Sequence, residues 1–212
     1  MNYLELINKC LVELNYKKVT AFSELTKNEH EKIKNIINVI NSEICYTYNW
    51  NFLLKTIECT LPSGNGDITN PVEGKILTLK IDNKIYKFTP DFEKFFTNEQ
   101  KPDTYSIFND KILLPQFEED KEIDITYYSN SYAITEQGQP KKYLEQPEDK
   151  SVIPEPFVEP LIVYGTCMRL KGNPQHIRFN YWMSMYKSAL ANLVANSTDC
   201  TEDCPNVKLK RF

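Results

Sequence analysis

KNEHEKIKNIINVINSEICYTYNW, residues 27–50, decides the fold class of this chain. Ile33, Ile36, Ile37, Ile40, Ile44 and Tyr48 recur at helical spacing and mark one apolar face over about four turns. Thr26 stands where an N-cap is wanted, ahead of Asn28, Glu29 and Glu31 in the first turn. At Trp50-Asn-Phe52 the helical period stops, and from 51 to 61 and from 75 to 88 apolar and polar residues alternate, the period of strands.

Working outward, Leu4, Ile7, Leu11 and Leu14 make the stripe of a short N-terminal helix that cannot stand alone in water. A helical turn reads over 91–99, with Phe92, Phe95 and Phe96 on one side, and longer helical patterns return near the other end, over 155–171 and 175–195, with Gly172-Asn-Pro174 between them as a stop and a start. Phe157, Leu161, Tyr164, Gly165 and Met168 share one predicted face, and Trp182, Met185, Tyr186, Ala189 and Leu193 the other. Neither half of this helical set has apolar surface enough for a core, so the two chain ends should meet. In the middle, Ser63-Gly-Asn-Gly66, Asn70-Pro71, Asp82-Asn83 and Asn109-Asp110 are turn chemistry between strands that read as an antiparallel meander ending in 122–129. The expected fold is α+β: an antiparallel helical bundle from both chain ends (1–50 and 151–196) with an inserted antiparallel β-rich lobe (51–135). A Pro-containing linker (136–150) returns the chain, and 197–212 is a C-terminal tail.

Composition narrows the function. With 212 residues, 41% of them hydrophobic, the chain can bury a core, and a net charge of −4 disfavours a surface that grips phosphates. Charge is uneven: Glu118 to Glu159 holds eleven carboxylates against four lysines, whereas the last five residues carry three positive charges. Thirteen Tyr and eleven Phe supply side chains of the kind interfaces favour. The N-terminus lacks a basic signal-peptide region, and Leu161 to Met168 is too short a run to span a bilayer.

Catalytic chemistry finds no foothold. His30 and His176 both read as solvated surface histidines, and the carboxylate pairs lie without the apolar neighbours that would raise a pKa. Cys200 and Cys204 are the one close thiol pair, but no second pair completes a tetrahedral metal site; Cys10, Cys45, Cys59 and Cys167 are scattered as in a reduced protein. The chain is therefore expected to be no enzyme and to need no cofactor and no metal.

Several pieces, in order, resemble the head-to-tail adaptors of short-tailed phages, the tail tubular protein A type, and the ring proteins of crAss-like phages. They are Leu11 to Val19 leading into the long helix, Trp50-Asn-Phe52 at its end, and Pro102-Asp-Thr-Tyr105 to Leu114-Pro115. Ile123 to Tyr128, Ile153-Pro-Glu-Pro-Phe157 with Tyr164-Gly165, and a helix carrying Tyr181 and Tyr186 complete the series. The resemblance covers nearly the whole chain, although Cys200 to Cys204 and the end of the tail have no counterpart in it. It implies a structural virion protein at the phage neck or tail, assembled in the host cytoplasm. As a homo-oligomeric ring of twelve copies, it would lie between the portal protein and tail proteins. DNA would pass through the lumen without specific binding, and no membrane is involved.

Trp50, Phe52, Phe157, Tyr164 and Trp182 are the aromatics expected to hold the frame. Val207, Lys208, Leu209, Lys210, Arg211 and Phe212 alternate apolar and basic residues, an edge-pairing pattern suited to a partner. A tail-associated cell-wall hydrolase and a monomeric ligand-binding domain are the alternative classes.

Overall fold

The computed structural model describes residues 1–173 and 175–197. The chain is mixed α+β. Its helices are α1 (Tyr3–Glu13), α2 (Asn28–Thr47), α3 (Glu93–Phe96), α4 (Tyr164–Leu170) and α5 (Phe179–Ser197). Its strands are β1 (Leu54–Leu61), β2 (Asp67–Thr69), β3 (Gly74–Ile81), β4 (Lys84–Phe88), β5 (Thr104–Phe108), β6 (Lys111–Leu113), β7 (Lys121–Ser129), β8 (Ala133–Ile134), β9 (Pro140–Lys141) and β10 (Lys150–Ser151). Residues 1–52 and the described part of 131–212 form one unit, and residues 53–130 the other.

In the helical unit α1 contacts α2 and α4, and α4 contacts α2 and α5. Helix α1 starts in a capping box, Glu5 N donating to Asn2 Oδ1 at 2.9 Å and Asn2 N to Glu5 Oε2 at 2.8 Å, which satisfies two of the orphan donors of a helix start. It buries Tyr3, Leu6, Ile7, Cys10 and Leu11, a face rotated from the Leu4 stripe because Tyr3 and Leu6 turn inward. The N-cap of α2 is Lys27 rather than Thr26, and its backbone N–H donates to His30 Nδ1 at 3.4 Å. His30 is accordingly buried, at 7% exposure, and is no surface histidine.

The helix expected over 155–171 departs most from its pattern. Residues Glu159–Val163 form a π-helical turn, with Pro160 inside it, before α4 begins. The wider turn shifts the register, so Leu161, Ile162, Val163, Gly165, Thr166 and Cys167 are buried while Met168 is not fully covered. Helix α5 begins at Phe179, later than expected, and buries Trp182, Ala189 and Leu193, with Met185 exposed.

The stretch 136–150 is not a linker. It folds into this unit as part of a three-stranded sheet in the order β10-β8-β9, and side-chain amides clip it to α2. Asn38 donates to Leu144 O and accepts from Leu144 N, both at 2.8 Å, the two bonds a neighbouring strand would make. Asn41 donates to Tyr132 O at 2.9 Å and accepts from Ser151 Oγ at 2.6 Å. Buried Asp149 accepts the N–H groups of Glu145 and Gln146 at 2.8 Å each and the Lys141 ammonium at 3.0 Å. Burial raises its pKa, but those two backbone donors and Lys141 outweigh it and hold the carboxyl below its ordinary value.

The β unit is a seven-stranded sheet in the order β1-β7-β3-β4-β5-β6-β2. It is not an antiparallel meander. Strand β7 lies between β1 and β3, and β4 pairs β5 in parallel, which the crossover through α3 makes possible. Residues Asn51–Leu53 form a 3-10 turn, so extension starts at Leu54, and a short strand the alternation does not reveal, β2, lies between 63–66 and 70–71 and pairs with β6. Asp82, Asn83, Asn109 and Asp110 do turn their hairpins, with φ of 49°, 64°, 48° and 60° in the left-handed region that Asn and Asp tolerate. Gly74 is required at its place: a Cβ there would collide with the Tyr128 carbonyl. Leu61, Leu79, Ile81, Ile112, Ile123 and Ile125 lie at the centre of the core.

Candidate interaction surfaces

Val207, Lys208, Leu209, Lys210, Arg211 and Phe212 lie outside the described residues, as do Cys200 and Cys204. The five framework aromatics fall in the helical unit but do not converge on one place. Trp50 is fully buried, donates from Nε1 to Ile44 O at 2.7 Å, and stacks on half-buried Phe52 with ring centroids 5.5 Å apart. Its indole thereby takes up one of the carbonyls that the end of α2 leaves unpaired. Trp182, also fully buried, donates to Glu13 Oε2 at 2.9 Å, an oxygen that Arg178 Nη1 approaches at 3.2 Å. His176 stacks on that indole at 5.1 Å. Tyr164 meets Tyr181 edge to face, hydroxyls 3.3 Å apart, and burial followed by this contact pushes the Tyr164 phenol up. Phe157 is half-buried ahead of the π-helical turn.

The thiols are unsuited to nucleophilic work. Burial pushes Cys10 and Cys45 up, with Cys167 beside Cys10 adding to the effect, so both stay protonated at neutral pH. Among the described residues no group of three or more His, Cys, Asp or Glu is placed to hold a metal ion. Nor, among them, is any helix long and apolar enough to cross a membrane.

The β unit offers two contrasting surfaces. On the solvent side of β1 and β7, Thr56 faces Thr126 with hydroxyls 3.2 Å apart, Glu58 faces Asp124, and Thr60 faces Glu122. Like charges directly opposite each other weaken a sheet, so the Glu58–Asp124 pair in this acidic row is a cost to the fold, eased by Lys80 opposite Asp124 on β3. Toward the C-terminal end of β4 the character reverses. Lys87, Lys94 and Lys101 line a cleft of about 250 Å³ together with Phe88, and Gln100 Oε1 is buried beside them with no hydrogen-bond partner. Next to it Phe92 stacks on Phe108 with centroids 4.4 Å apart, and Phe96 leans on both rings while remaining 63% exposed.

The sequence reading missed His30, Asp149, the Asn38 and Asn41 clips and this cleft. Polar residues that bond to distant backbone leave no periodic signal, and the cleft exists only because β4 and β5 run parallel. No family model matches the chain, and no curated protein matches it.

Proposed function

We propose that this chain is a structural virion protein, a head-to-tail adaptor that forms a ring between portal and tail and leaves a channel for DNA. The observation that carries the reading is the acidic row of Glu58, Asp124 and Glu122 on a solvent-facing sheet. Carboxylates kept together at a cost to sheet stability repel a passing polyanion, which is what a conduit that must not hold DNA requires. The order of motifs along the chain supports the setting, and so does the return of both chain ends to one unit.

In this reading the helices form the antiparallel bundle that stacks beside its neighbours. Twelve copies close the ring, the portal and tail proteins are its partners, and the protein resides at the phage neck or tail after assembly in the host cytoplasm. Tail residues 207–212 are the proposed attachment segment. The chain turns over no substrate and needs no metal.

Negative-stain imaging and native mass spectrometry of the chain mixed with portal-bearing heads test this. Rings on the portal vertex are the expected outcome. A chain that stays monomeric on such heads, or that clears peptidoglycan in a way lost on changing one carboxylate, overturns it.

A further inference from the structure

We infer that the lysine and phenylalanine cleft of the β unit is the receiving half of a head-to-tail contact between copies of this chain, its occupant the acidic loop Glu118-Glu119-Asp120 of the next copy. The inference rests on the ring reading and specifies which faces meet.

The cleft has unspent chemistry. Lys94 is taken by Asp91, Nζ to Oδ2 at 2.7 Å, and Lys101 lies near enough to the same carboxylate to help hold its pKa down, whereas Lys87 has no ion-pair partner among the described residues. Gln100 Oε1 is a buried acceptor awaiting a donor. An unpaired buried acceptor is costly, and its persistence at the wall of a cleft is explained if a donor arrives from outside. At the rim Phe88 is 56% and Phe96 63% exposed, apolar surface that a docked chain would cover.

The loop carries the complement. Glu118 and Glu119 are exposed and make no ion pair among the described residues, and their backbone N–H groups find no partner there. Two exposed carboxylates, one of them near Lys121, and two unbonded amides thus answer one unpaired ammonium, a second that shares Asp91, and one orphan acceptor. The loop is also held in shape before any contact. Asp120 Oδ1 accepts Ser63 N at 2.8 Å, Phe117 O accepts Gly64 N at 2.8 Å, and the Phe117 ring rests on the core beneath the Lys121 ammonium. A rigid convex loop loses little entropy on docking.

Within one copy the two features cannot meet. The loop enters β7 beside the β3–β4 turn, where Lys121 pairs with Asp82 at 2.8 Å, whereas the cleft lies at the other end of β4. Lys84, Ile81 and Ile123 share one row of the sheet, so Lys87 lies three residues to one side of it and Asp120 three to the other; with two strand spacings across, the two features are about 20 Å apart along the strands and about 10 Å across them. Different patches on the same molecule that fit each other make a heterologous contact, which propagates from copy to copy and makes a ring when the rotation between copies closes.

The test is zero-length carbodiimide coupling of an equal mixture of unlabelled and 15N-labelled full-length protein at high concentration and low salt, read by mass spectrometry. Isotopically mixed peptides joining Lys87 or Lys101 to Glu118 or Glu119 are expected. Their yield should fall about tenfold near 1 M salt, where the Debye length shrinks to about 3 Å. K87E/K101E should abolish the mixed peptides, and adding E118K/E119K to the same chain should restore them, with unchanged melting curves showing that the fold survives. Absence of mixed peptides in the wild type, or no restoration in the charge-swapped chain, overturns the inference. Rings on portal-bearing heads without these cross-links would sink this contact and leave the adaptor reading standing; cross-links without rings on heads would do the reverse.

Discussion

Single residues set the stability of the helical unit. Trp50 fills its site completely and satisfies Ile44 O, so Trp50→Ala should cost about 3–5 kcal/mol in chemical denaturation. Trp50→Phe keeps most of the apolar volume but leaves that carbonyl unpaired, and should cost about 1–3 kcal/mol. Asp149 makes a pH prediction. Its folded pKa is depressed, so its contribution is fully present above the unfolded value of about 4 and is lost as pH falls through the folded value. Asp149→Asn should therefore lower the melting temperature at neutral pH and flatten the acid side of the pH–stability curve below about pH 4. A variant that melts like the wild type at pH 7 would show that the Glu145 and Gln146 amides are content with water.

At the scale of elements, Gly165 marks where three helices crowd. A Cβ there would stand 3.1 Å from Ile40 Cγ2 and 3.1 Å from Tyr186 Cε2, so α4 approaches α2 and α5 only because this position is bare. Gly165→Ala gains about 1 kcal/mol of helix propensity and loses a comparable amount to crowding. Gly165→Val adds two more methyl groups to the same gap and should cost about 2–3 kcal/mol, measured by urea denaturation. Elements with a strong local period were legible from sequence: the isoleucine stripe from Ile33 to Ile44 lies within α2, and the Asp82-Asn83 and Asn109-Asp110 turns are where side-chain chemistry places them. What the sequence hid was non-local. The π-helical turn at Glu159–Val163 breaks a period that looked continuous. The place of β7 between β1 and β3 depends on pairs from 42 residues apart (Ile81 with Ile123, 123 − 81) to 74 apart (Leu54 with Tyr128, 128 − 54), and the docking of 132–151 depends on Asn38 and Asn41 far upstream.

For the whole molecule, the proposed attachment role of the tail makes a prediction separate from those of the interior. Deleting 206–212 should leave the thermal melt of the monomer nearly unchanged while abolishing ring or portal attachment, scored by imaging and by co-sedimentation with portal-bearing heads. Wild-type assembly by the shortened chain would show that the tail has no part in attachment. The β unit is one uninterrupted excursion, 53–130, between the two halves of the helical unit, and this orders events during synthesis. It can finish folding on the ribosome, since every strand of its sheet has emerged by Ser129. Helices α1 and α2 cannot: the apolar faces that end against α4 stay bare until Tyr164–Leu170 leaves the exit tunnel. The earliest residues made are thus among the last to be covered, and the nascent chain passes through a long interval in which its isoleucine-rich helix is open to chaperones, proteases and aggregation.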